Sequence, residues 1–188
     1  MVNVYFLDTS ALVKRYIVET GTPWVQTITN PAAQNILLIS RLTCVEISGA
    51  ISRRKRESTL TPKQAAQLKL VFQDHCKTQY QIVELNLHIT DLASTLCDRQ
   101  SLRAYDAVQL SSALTVQPII QEQPNTTFTF LSADDRLICA ARTRWVTGRC
   151  QEMESRCRCW GRAIASLKET LLRLDDWNQY FSRRLVHA

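Results

Sequence analysis

Four acidic residues carry the chemistry this chain can do: Asp8, Glu46, Asp106 and Asp134. Asp8 closes the apolar run at residues 2–7, and Asp134 follows the apolar run Thr127-Phe128-Thr129-Phe130-Leu131. Glu46 falls shortly after a third such run, at residues 35–40, and Asp106 opens the small-residue stretch Ala104-Tyr105-Asp106-Ala107. Carboxylates gathered in one cleft repel each other and lose hydration, so the arrangement is costly without a cation, and hard oxygen ligands are what magnesium and manganese prefer. Such an ion lowers the pKa of water and offsets charge on a phosphoryl oxygen. The implied chemistry is phosphodiester hydrolysis.

Each acid taken alone has a plainer reading. Asp8 suits a helix cap, Asp106 and Asp134 suit the positive end of a helix, and Asp135 suits a solvated surface. Glu46 resists this treatment, because it lies between Val45 and Ile47 on an otherwise apolar helix and glutamates are rarely buried without a partner. The case rests on the four together.

The elements that must position these acids alternate. Residues 2–7 read as a buried strand, after which Thr9 or Ser10 is placed to cap a short helix. Thr22-Pro23 marks the entry to a helix through Trp24, Val25 and Ile28. The run at 35–40 reads as a second strand, with Ser40 capping the helix that carries Val45, Glu46, Ile47 and Ile51. Thr61-Pro62 starts another helix through Phe72, Tyr80 to Leu85 reads as a third strand, and helices follow over 89–99 and 104–116. Gln117 to Thr126, with two prolines, reads as a loop before the strand at 127–131. Apolar strands alternating with helices predict a mostly parallel sheet covered on both faces, with its site at the carboxyl ends of the strands.

Composition narrows the setting. A chain of 188 residues fits one α/β domain plus an appendage. The N-terminus has no basic lead, and no apolar run reaches the roughly 18 residues that span a bilayer, so a cytoplasmic protein with no membrane partner is expected. The seven cysteines show no paired framework and are expected as thiols. The formal charge of +6 is uneven. Residues 1–140 hold 13 Lys/Arg against 12 Asp/Glu, whereas residues 141–188 hold 10 against 5, so the basicity sits in the tail.

The stretches Phe6-Leu7-Asp8-Thr9-Ser10-Ala11-Leu12-Val13-Lys14, Leu42-Thr43-Cys44-Val45-Glu46, Leu102-Arg103-Ala104-Tyr105-Asp106-Ala107-Val108-Gln109-Leu110 and Phe130-Leu131-Ser132-Ala133-Asp134-Asp135-Arg136-Leu137 closely resemble the PIN-domain ribonuclease toxins of the VapC type, from VapBC toxin–antitoxin systems. Order, spacing and flanks agree across residues 2–140. The resemblance implies a three-layer α/β/α sandwich with a mostly parallel central sheet and Mg2+- or Mn2+-dependent endoribonuclease activity on RNA such as transfer RNA. It also implies a VapB-type antitoxin as inhibitor, and a homodimer. It makes Asp8, Glu46, Asp106 and Asp134 the metal-binding and catalytic acids, with Asp134 preferred over Asp135 because it stands three residues before Leu137. Thr9, Ser10 and Ser132 become supporting hydroxyls. Some relatives carry a further acid or histidine one turn after the third acid, where this chain has Gln109, which counts against a second tightly held metal. The implied reaction is attack of an activated water on an RNA phosphate, leaving a 5′-phosphate and a 3′-hydroxyl. Arg103, beside Asp106, and Arg53 and Arg54, in the run that follows Glu46, are placed to meet RNA phosphates.

The tail departs from that pattern. Residues 141–188 form a basic, Cys- and Trp-containing extension in which Trp160, Ile164, Leu167, Leu171, Leu174, Trp177 and Phe181 recur at helical spacing and call for burial. The last strand of the sheet is expected to be missing or replaced. Cys150, Cys157 and Cys159 lack a fourth ligand at zinc-site spacing, and His75, His88 and His187 form no cluster. Two rivals to the nuclease reading remain. One is a magnesium-dependent phosphoryl-transfer protein, which would need paired acids or an Asp-x-Asp motif where Asp8 stands alone. The other is a catalytically impaired fold acting as an RNA- or protein-binding module because of its altered C-terminus.

Overall fold

A computed structural model describes residues 1–144 and the backbone of 149–152. Five strands, β1 (Val2–Leu7), β2 (Ile36–Ser40), β3 (Tyr80–Val83), β4 (Thr126–Ser132) and β5 (Arg149–Glu152), form one sheet in the order β3-β2-β1-β4-β5. Every pairing is parallel. The chain first builds outward from β1 through β2 to β3, then returns to the other side of β1 with β4. The reversal lies between β1 and β4, where parallel sheets open a crevice at their carboxyl ends.

Alternating side chains send the two halves of each strand to opposite layers. Val4, Phe6, Ile36, Leu38, Phe128 and Phe130 face one layer, where they meet Ile89, Ala93 and Leu96 of α5 (Leu87–Gln100) and Leu110, Val116 and Ile120 of α6 (Ala104–Gln121). Leu7, Leu37, Ile39 and Leu131 face the other, against α1 (Thr9–Leu12), α2 (Thr22–Ile28), α3 (Arg41–Arg56) and α4 (Pro62–Thr78), through Leu12, Ile28, Ile47, Ile51 and Phe72. Both faces are therefore covered by helices, which is why β2 is buried along its whole length and apolar up to its final Ser40.

Local chemistry sets the helix starts. Ser40 accepts from the Leu42 N–H and starts α3 directly from the tip of β2. Thr61 and Gln64 form a reciprocal capping box at α4, with Thr61 Oγ1 3.2 Å from the Gln64 nitrogen and Gln64 Oε1 2.9 Å from the Thr61 nitrogen. Thr61→Ala should cost about 1 kcal/mol, read as a lower thermal midpoint with the fold unchanged. An unaltered melt would mean that packing of Phe72, not the cap, sets the start of α4.

Several expectations are corrected. The α1 cap is Asp8 itself, not Thr9 or Ser10. The entry to α2 does fall at Thr22-Pro23, behind Gly21 at φ 91°, and the Thr22 hydroxyl donates to the Lys14 carbonyl at 2.9 Å. The third strand stops at Val83, and α5 begins at Leu87 behind an Asn86 cap. The expected loop from Gln117 is still helix: α6 continues through Pro118 to Gln121 because Val116, Gln117 and Ile120 are buried, and a proline near the helix end removes little of its ladder. The last strand is present. It pairs Thr129 to Ser132 with Arg149 to Glu152, and α7 (Asp135–Arg144) runs through the composition shift at residue 141. Trp145, Cys157, Cys159, His187 and the stripe from Trp160 to Phe181 lie outside the described residues. No helix among the described residues is long and apolar enough to cross a membrane.

Candidate active site

All four acids arrive at the carboxyl edge of the sheet. Asp8 follows β1, and its N–H reaches the Leu131 carbonyl at 2.9 Å, so the β1–β4 ladder carries it to the tip of β4. Asp134 follows β4 and caps α7, Glu46 sits in the second turn of α3 beyond the tip of β2, and Asp106 sits in the first turn of α6. Asp8 and Asp134 thus flank the point where the strand order reverses.

Hydroxyls stitch the two strand tips together. Ser132 Oγ donates to Asp8 Oδ2 at 3.0 Å, Ser10 Oγ donates to the same oxygen, and the Ser10 N–H reaches it at 3.2 Å. In return Ser10 Oγ accepts from the Ala133 N–H at 2.8 Å, and Ser132 Oγ from the Asp134 N–H at 3.0 Å. Thr9 Oγ1 donates to Glu46 Oε2. The three predicted hydroxyls therefore hold two of the acids and the backbone of a third.

Gln109, noted from the sequence only as standing where some relatives carry a further acid or histidine, is hydrogen-bonded into the site itself. Its side chain is 1% exposed, and its amide nitrogen lies 2.7 Å from Glu46 Oε2 and 2.9 Å from each of Thr9 Oγ1 and Thr43 Oγ1. A polar side chain one turn after Asp106, on a helix face shared with buried residues, was the available signal: it had to find partners across the core.

These bonds share one pattern. Among the described residues, every side-chain hydrogen bond to Asp8 goes to Oδ2, every one to Glu46 goes to Oε2, and Asp134 receives the N–H groups of Arg136 and Leu137 on Oδ1 alone, at 2.8 and 3.3 Å. Each carboxylate has one tethered oxygen and one that is not. Among the described residues no three His, Cys, Asp or Glu side chains are drawn into a compact ligand group, so the acids share an edge and a charge field, not a finished coordination shell.

The electrostatics follow from that crowding. Burial pushes the Asp8 carboxyl up to about 6, the hydroxyls of Ser10 and Ser132 oppose the shift, and the charge of Glu46 adds to it. Burial also raises Asp106, reinforced by Asp134 and Glu46 and opposed by Arg103. The charge of Glu46 thus acts on both Asp8 and Asp106.

An open cleft of about 280 Å³ adjoins the acids, lined by Ser101, Leu102, Arg103, Asp106, Asp134 and Arg136. Arg103 is thus at the cleft, as expected. Arg53 and Arg54 are not, because α3 runs back from the tip of β2 and carries them roughly 10 Å beyond Glu46. Arg53 is exposed there, and Arg54 pairs with Glu19 at 2.7 Å, a carboxylate also held by Lys14 at 3.3 Å. His75 is hydrogen-bonded to Tyr16 at 2.8 Å, away from the acids. Arg136 was not foreseen as a site residue, although a cation in the first turn of a helix opposes the helix dipole and so asks for an explanation.

The helix-cap readings of Asp8 and Asp134 are geometrically true. They do not account for Asp8, since Asn or Ser would cap α1 equally well without an acid buried to 4% exposure. Compared with protein-family models, the sequence matches none. Compared with curated proteins, it likewise finds no match.

Proposed function

We propose that this chain is a Mg2+- or Mn2+-dependent endoribonuclease built on a PIN-like α/β/α sandwich, acting as a VapC-type toxin in the cytoplasm, as a homodimer, under a VapB-type antitoxin. The observation that carries the reading is the set of acids from separate elements at the β1/β4 reversal, with Asp8, Glu46 and Asp134 each bonded through one oxygen, the other oxygen taking no side-chain hydrogen bond among the described residues. All are hard oxygen donors, and a buried carboxyl held near 6 is what an approaching divalent cation would relieve. Asp8, Glu46, Asp106 and Asp134 would hold the ion, which would acidify water and offset charge on a phosphoryl oxygen.

The chain's own residues do the rest. Ser10, Ser132 and Gln109 fix the acids in place before substrate arrives. Asp106, whose carboxyl is raised from its usual value by burial, is suited to take a proton from the attacking water on its carboxylate. Exposed Tyr105, 62% accessible beside Asp106, offers a face on which an unpaired base can stack.

The test is cleavage of structured and single-stranded RNA, with and without magnesium or manganese, comparing wild type with Asp134→Asn. Metal-dependent cleavage that falls by more than about 100-fold in the variant is the expected result. Equal cleavage by both proteins, or none by the wild type with either metal, would sink the nuclease reading.

A further inference from the structure

We infer that the cleft between the starts of α6 and α7 is a subsite for a phosphate of single-stranded RNA next to the one that is cut, gripped from two sides by Arg103 and Arg136. The inference rests on the nuclease reading for the identity of its ligand and on independent observations for the site itself. Both arginines line the same cleft, although 33 positions separate them in the sequence. Both are exposed, and among the described residues neither guanidinium has a carboxylate within ion-pair distance, whereas Arg41, Arg54 and Lys14 each have one.

Local structure gives neither arginine a reason to be there. Arg103 occupies the cap position of α6 and makes no side-chain capping bond, where Ser, Thr, Asp or Asn would satisfy an orphan N–H. Arg136 lies in the first turn of α7, where the helix dipole disfavours a cation. Two cations held against local preference on one cleft are best accounted for by an anion that bridges them. Among the described residues neither Asp106 nor Asp134 forms an ion pair with either guanidinium, and Asp134 already accepts the Arg136 and Leu137 N–H groups on Oδ1. A guanidinium offers paired donors that match a phosphodiester, and Asp106 and Asp134 on the same wall put that phosphate directly beside the acids.

Geometry also predicts direction of effect. Removing the charge of Arg136 should weaken the grip on RNA without touching the groups that perform the cut, so its loss should appear in KM far more than in kcat, whereas Arg103, whose charge also acts on Asp106, should move both. Because both positions are exposed helix starts, replacement by glutamine should leave the fold intact.

The test uses the full chain and a labelled 12-nucleotide single-stranded RNA, with affinity measured against salt in EDTA, so that binding is read without cleavage. Wild type, Arg103→Gln, Arg136→Gln, Arg136→Lys and the Arg103→Gln/Arg136→Gln double variant are compared, with thermal melts as the check on folding. Each glutamine should weaken binding about tenfold and flatten the plot of log K against log salt by about 0.7, and Arg136→Lys should recover the slope but only part of the affinity. Under magnesium, KM of Arg136→Gln should rise about tenfold with kcat within about twofold. Unchanged salt slopes in the glutamine variants would overturn the subsite. Failure of the wild type to cleave would instead remove the nuclease reading, while the EDTA slopes still decide whether the arginines grip a phosphate.

Discussion

Asp8→Asn should make this protein more stable and catalytically dead. The Asp8 carboxyl titrates at about 6 in the fold against 3.8 in an exposed chain, so folding binds a proton that unfolding releases. For an acid shifted upward the sign is unfavourable: the penalty is absent below about pH 4, grows between pH 4 and 6, and is complete above. At pH 7.5 it is on the order of 3 kcal/mol. Asparagine keeps an acceptor for Ser10 and Ser132 on the side where Oδ2 sits and places its amide where Oδ1 carries no side-chain bond. The thermal midpoint should therefore rise by roughly 5–10 °C at pH 7.5 and by little at pH 4. Magnesium or manganese should raise the wild-type midpoint by mass action and leave that of Asp8→Asn nearly unmoved, while RNA cleavage by the variant falls by more than about 100-fold. A variant that melts below wild type at pH 7.5 would show that the Asp8 charge is compensated within the fold and carries no burial penalty for asparagine to relieve.

That trade of stability for chemistry also explains what the sequence revealed and what it withheld. The acids were legible because strand tips in a parallel sheet are exposed by construction: the apolar runs at 2–7, 35–40 and 127–131 told where chain direction ends, and Asp8, Glu46 and Asp134 followed from that. Partners were not legible, since Gln109 reaches Thr9 and Glu46 across 100 and 63 positions and Arg54 reaches Glu19 across 35. Arg54 therefore looked like an RNA contact within its basic run and proved to be half of a pair holding the turn after α1. The extension of α6 past Pro118 and the strand β5 failed for a related reason. Pro118 breaks a helix by local rules, and Arg149-Cys150-Gln151-Glu152 has no strand pattern, yet burial of Ile120 and pairing along β4 override both.

Gln109 offers the sharpest separation between holding the fold and holding the site. Gln109→Leu keeps the volume of a residue that is 1% exposed but removes the donor 2.7 Å from Glu46 and leaves Thr43 without its partner. Stability should fall by about 2–3 kcal/mol, since a buried hydroxyl and a half-buried carboxylate lose a bond each. If Gln109 also aims Glu46, kcat should fall about 10- to 100-fold with KM for RNA almost constant, as expected when a residue behind the reacting groups is lost. Gln109→Glu makes the distinction independent of packing. A carboxylate at that position faces Glu46 within hydrogen-bond reach, and two like charges so close cannot both ionise. This variant should be less stable than Gln109→Leu at neutral pH, recover below about pH 5, and gain more from added magnesium or manganese than wild type does. A purely structural glutamine would give the first loss without the cation dependence. Gln109→Leu with wild-type kcat would remove Gln109 from the site altogether and leave Thr9, among the described residues, to orient Glu46.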